Sequence, residues 1–95
     1  MSAYLVVDIE VTDPEAYEKY RSQVPSLVAK HGGKYLVRGG PFEILEGDWT
    51  PKRLVLLEFP STTAAREFYD SEEYRPLKEI RLKATKSNLV LVEGA

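Results

Sequence analysis

Leu54-Val55-Leu56-Leu57 is an unbroken aliphatic run, set between Lys52-Arg53 and Glu58-Phe59-Pro60, and its reading decides the fold. It has the length of a strand and falls far short of the ~20 residues a membrane helix needs. A strand of an antiparallel sheet with one wet face alternates apolar and polar residues. This one is apolar on both faces. Leu5-Val6-Val7 and Leu89-Val90-Leu91-Val92 repeat the pattern near the two ends of the chain. A 95-residue chain with only enough helix to cover one face of such a sheet needs something else over the other. A second copy of the chain is the simplest cover, so the sequence predicts a homodimer.

Working outward from that run, Ala3 to Glu10 reads as a first strand, with Ala3, Leu5, Val7 and Ile9 on one face and Tyr4, Val6, Asp8 and Glu10 on the other. Asp13-Pro14-Glu15 has the chemistry of a helix start: a capping carboxylate, a proline at the first helical position and an acid near the positive end of the dipole. Tyr17, Tyr20, Val24, Leu27, Val28 and His31 follow at helical spacing, and Gly32-Gly33 ends the helix. Pro25 predicts a kink or break near Arg21 to Val24.

Lys34 to Arg38 is the next strand, and Gly39-Gly40-Pro41 predicts a bulge or bend before a further extended stretch, Phe42 to Glu46. Turn residues 47–51 lead into a strand from Lys52 to Phe59. Ser61 caps a short helix with Ala64, Ala65, Phe68 and Tyr69 on its apolar side, and Ser71 opens another with Leu77, Ile80, Arg81 and Ala84 on one side. Thr85 to Glu93 is the last strand. The order βαββαβ in one domain spanning residues 1–95 is the ferredoxin-like α+β arrangement, an antiparallel sheet with helices on one face.

Composition narrows the function classes. The net charge of −2 comes from 13 basic and 15 acidic residues interspersed along the chain, which leaves no basic footprint for nucleic acid. No apolar stretch is long enough for a membrane span, and no basic n-region precedes the first strand, so a cytoplasmic location is expected. Cysteine is absent, removing disulfides, thiol nucleophiles and thiolate metal sites. One histidine and scattered carboxylates make no metal-loop spacing, and neither glycine pair fits a nucleotide fingerprint. No metal and no cofactor are expected.

Gly32-Gly33-Lys34-Tyr35-Leu36-Val37-Arg38-Gly39-Gly40, Leu45-Glu46-Gly47-Asp48-Trp49, the segment Arg53 to Ser61, and Phe68-Tyr69-Asp70-Ser71-Glu72-Glu73-Tyr74 together resemble the family known as domain of unknown function 1330, within the dimeric α+β barrel superfamily. The resemblance extends from Asp13-Pro14-Glu15-Ala16-Tyr17 to Val90-Leu91-Val92-Glu93-Gly94. It implies a ferredoxin-like subunit whose sheet packs on a partner's sheet to close a barrel across a dimer. It implies no reaction. Superfamily relatives include cofactor-free monooxygenases, isomerases and haem enzymes, an analogy of fold alone.

The residues that carry chemistry are few. Asp8, Arg38 and Glu58 are charges embedded in otherwise apolar strands, where they are costly unless paired, wetted at strand ends or lining a polar cleft. Strand parity puts Arg38 on a face with Leu36 and Glu58 on a face with Leu54 and Leu56, which predicts an ion pair between Arg38 and Glu58 or Asp8. His31 reads as a cap at a helix end, with a general base or an axial haem ligand as the other readings. The tyrosines read as core and dimer packing or as an aromatic wall, with Trp49 on a turn as its lid. Three outcomes stay open: a small-molecule binder, a cofactor-independent enzyme, or a purely structural dimer. The catalytic candidates are Arg38, Glu58 and His31, and the candidate ligand contacts are Tyr4, Asp8, Arg38, Trp49, Glu58 and Tyr69.

Overall fold

The computed structural model describes residues 1–95. Seven elements follow one another: β1 (Ala3–Val11), α1 (Pro14–Lys30), β2 (Lys34–Arg38), β3 (Leu54–Phe59), α2 (Thr62–Asp70), α3 (Tyr74–Ala84) and β4 (Thr85–Glu93). The strands form one antiparallel sheet in the order β2-β3-β1-β4. This is the ferredoxin-like α+β fold. No helix is long and apolar enough to cross a membrane.

Alternation along the strands separates two faces. Ala3, Leu5, Val7 and Ile9 of β1 and Val55, Leu57 and Phe59 of β3 are buried under the helices. Their neighbours Tyr4, Val6, Asp8, Leu54, Leu56 and Glu58 are only half-buried and face away. The core closes on an aromatic column in which Phe68 lies 5.3 Å from Phe59 and 4.5 Å from Tyr74, ring centroid to centroid.

Local chemistry sets the helix ends. The Asp13 carboxylate accepts from the Ala16 N–H at 3.2 Å with Pro14 following, and Ser61 Oγ accepts from the Ala64 N–H at 3.0 Å. At the other end of α1, Gly32 takes φ +79°, its N–H reaches the Ala29 carbonyl, and the Gly33 N–H reaches the Val28 carbonyl at 2.9 Å. These are the two bonds of a Schellman cap, and they require the left-handed residue that glycine supplies. Gly33 must also be small: a Cβ there would lie 2.6 Å from the Phe59 ring.

Two expectations need correction, and a third is met in one of its two forms. The helix does not break before Pro25; α1 runs unbroken to Lys30, because the lost N–H costs only one bond and the freed Arg21 carbonyl finds another donor. Residues 39–53 form no further strand, and β3 begins at Leu54. The bend expected at Gly39-Gly40 is present, with Gly39 at φ +72°, and the register shift falls earlier, between Tyr35 and Val37.

Candidate functional site

That shift decides where Arg38 points. Tyr35 pairs with Leu57, a helix-face residue, and Val37 pairs with Leu56, an outer-face residue, so Leu36 is extra and parity reverses across it. Arg38 therefore stands opposite Val55 and on the helix side of the sheet. The predicted ion pair does not form. Arg38 donates to the Arg21 carbonyl at 3.0 Å, the acceptor that Pro25 leaves free, and its guanidinium stacks 4.7 Å from the Tyr35 ring centroid.

Glu58 and Asp8 lie on the outer face, each already satisfied. Glu58 accepts from the Tyr4 hydroxyl at 3.2 Å and pairs with Lys34 at 3.2 Å, and chiefly the Lys34 bond holds its carboxyl below the usual glutamate range. Asp8 accepts from the Lys52 N–H at 2.9 Å and the Trp49 indole at 3.1 Å; the Lys52 bond is the main cause of its lowered pKa. Trp49 thus lies against the outer face and is not a lid for the helix side. Tyr69 of α2 stacks under Lys78 of α3 at 4.2 Å. His31 closes α1 edge-on to Phe68, with a buried Nε2 that has no partner, and does not line the central cavity. Of the predicted residues, the structure brings together Tyr4 with Glu58 and Asp8 with Trp49, and leaves Arg38, Tyr69 and His31 apart from both.

The group that does converge lies between the helix face of the sheet and α1 and α3. A cavity of about 30 Å³ is floored by Leu5, Val7, Ile9, Val55, Leu57 and Leu89, and walled by Tyr17, Tyr20, Tyr35, Phe68 and Tyr74. Its charged lining is Arg21, Arg38, Arg53 and Arg81, with no aspartate, glutamate or histidine. Arg81 is 3% exposed, and no carboxylate lies within ion-pair distance of it. Its Nε donates to the Tyr74 hydroxyl at 3.3 Å and one Nη to Ser87 Oγ at 2.6 Å, and the Tyr74 hydroxyl shares a 2.9 Å hydrogen bond with that of Tyr20. Burial works against the Arg81 charge, but Tyr74 and the nearby Tyr20 outweigh it and the pKa moves up. Burial, reinforced by Tyr74, pushes the Tyr20 phenol far above its usual range, so it is a proton donor throughout the ordinary pH range. The Nε of Arg53 is buried without a partner.

The sequence sets Arg81 on one side of its helix with Leu77, Ile80 and Ala84 without marking it as a site residue. A cation at a buried helical position was the available signal. Arg53, next to β3, carried no comparable mark.

A family model described as Domain of unknown function (DUF1330) matches residues 2–95. The chain belongs to that family. Among solved structures, this DUF1330 chain is similar to a protein of unknown function from Rhodopseudomonas palustris, with a TM-score of 0.78 at 20% identity over 99% of this chain and 82% of that one. It is also similar to SnoaB, a cofactor-independent oxygenase from Streptomyces nogalater (TM-score 0.68, 12% identity, 99% and 93% covered). A dimeric ferredoxin-like protein of unknown function from Jannaschia sp. CCS1 gives a TM-score of 0.66 at 11% identity, covering 99% of this chain and all of that one. At these identities the likeness is one of fold. No curated protein matches the chain.

Proposed function

We propose that the chain works as a homodimer, paired through the outer face of its sheet, and binds a small molecule in the cavity under its helices. For the dimer, the support is an apolar row crossing all four strands, Val37-Leu56-Val6-Val90, with Val92 beside it. Val90 and Val92 are 58% and 46% exposed in the single chain. A stable pairing on this face needs about 1,600 Å² of total buried surface. The Jannaschia fold relative is a dimer.

For binding, one observation carries the reading: Arg81 is buried in the cavity wall without an acid. A structural dimer would gain more from a methionine or leucine at that position, since an uncompensated buried guanidinium is costly. The cavity as it stands holds about two waters, so a ligand enters only when the walls part. That closure favours a purely structural role, and the unpaired arginine outweighs it. An enzyme of the general acid–base kind needs a proton acceptor beside the substrate. Glu58 and His31 do not line the cavity, so binding is the better reading.

Native mass spectrometry of freshly purified protein tests both parts. The expected species is a dimer carrying an additional small-molecule mass, or accepting one when metabolite extract is added. A folded monomer that acquires no mass from any extract contradicts the proposal.

A further inference from the structure

We infer that the ligand is a small planar carboxylate, one oxygen of which is received by the Tyr20 hydroxyl, with Arg81 behind it supplying the positive charge. The inference rests on the reading of the cavity as a binding site. The chain as a whole is acidic, at −2, yet the cavity lining contains four arginines and no acid. Only Arg21 has a carboxylate of its own, Glu18 at 2.9 Å. An incoming anion supplies the missing counter-charge for Arg81 and for the buried Nε of Arg53, in a water-poor setting where each such contact is strong.

The hydrogen bonds have a direction. Arg81 donates to the Tyr74 oxygen, which favours turning the Tyr74 proton toward Tyr20. The Tyr20 proton is then free to point into the cavity, polarised by two bonds in series. Tyr20 keeps that proton because burial raises its pKa. A donor chain that begins on a cation and ends on an O–H suits an oxyanion and offers nothing to an ammonium group. Aromatic faces from Tyr17, Tyr35 and Phe68 suit a flat body attached to it.

Titration with benzoate and with its neutral counterpart benzamide, followed by ligand NMR, tests the class. Wild-type protein is expected to bind benzoate about tenfold more tightly than benzamide, the worth of one charge-assisted hydrogen bond. In Tyr20→Phe and Arg81→Met that ratio should fall toward one, a change that loss of packing alone does not produce. Tyr20→Phe keeps the ring and its packing, so it carries the test if Arg81→Met fails to fold. Leu89→Phe, which fills the cavity, should abolish both interactions. Equal binding of the two probes, lost in Leu89→Phe, overturns the anion class and leaves the cavity as a binding site. Absence of binding by either probe, or binding unchanged in Leu89→Phe, overturns the inference and the cavity reading together.

Discussion

The two faces of one sheet treat charge in opposite ways. On the outer face, Glu58 has Lys34 and Tyr4, and Asp8 has Trp49 and the Lys52 N–H, so both carboxylates are satisfied within one chain. Between them runs the apolar row through Leu56 and Val6. On the helix face, Arg81 and Arg53 are cations held by neutral groups or by nothing at the buried Nε. A face whose half-buried carboxylates are satisfied and whose centre is apolar is ready to meet a like surface. A cavity whose charges are incomplete is ready to meet an ion.

The largest effect should come from the helix-face core. Phe59→Ala removes a fully buried ring and is expected to cost about 3–5 kcal/mol in denaturant unfolding. An outer-face change of similar severity, Leu56→Asp, should act on association instead, by about 2–4 kcal/mol in sedimentation equilibrium, with the subunit still folded by circular dichroism. If Leu56→Asp unfolds the chain at every concentration without a monomer appearing, the outer face belongs to the core and the contrast fails.

Gly39→Ala should cost about 1–2 kcal/mol, the penalty for a side chain in the left-handed region. A Cβ there also runs into the Arg53 guanidinium, so the same variant should disturb a cavity wall. Unchanged stability in thermal melts would show that the loop after β2 relaxes freely and does not position Arg53.

The smallest effect is in pH. The Glu58 carboxyl is held below its ordinary value of 4.5, chiefly by Lys34, so its contribution is present above that pH and is lost as the pH falls through the lowered folded value. Glu58→Gln should flatten the melting temperature against pH in the acid range below about 4.5 and leave neutral behaviour nearly unchanged. An equally steep acid limb in the variant would assign the effect to other carboxylates, Asp8 among them.

Most of the fold was legible because binary pattern and cap chemistry agree along the chain: Asp13-Pro14, Gly32-Gly33 and Ser61 each mark a helix end where one occurs. The apolar runs of β1, β3 and β4 marked a sheet that is apolar on both faces. The candidate site was much less legible. Its reading depended on strand parity through β2, and a single extra residue near Leu36 reverses that parity while leaving no mark in composition. Gly39-Gly40 pointed to a bulge or a bend, and the bend, with its positive φ at Gly39, is what lies there. Arg81 was hidden for a different reason: a buried arginine among Leu77, Ile80 and Ala84 is indistinguishable in sequence from one that reaches water along its stem. That it stays inside depends on Tyr74, two turns earlier on the same helix, and on Ser87, which β4 brings to it.

The central claim is that the cations of the helix face await an anion while the outer surface does not. Arginine Nε–Hε resonances, followed by ¹H–¹⁵N NMR as benzoate is added, test it within one sample. The account predicts saturable shifts at Arg81 and Arg53, with Arg66 and Arg75, which pair with Asp70 and Glu72 outside the cavity, left unmoved. Shifts spread evenly over all the arginines, or confined to Arg66 and Arg75, would contradict it.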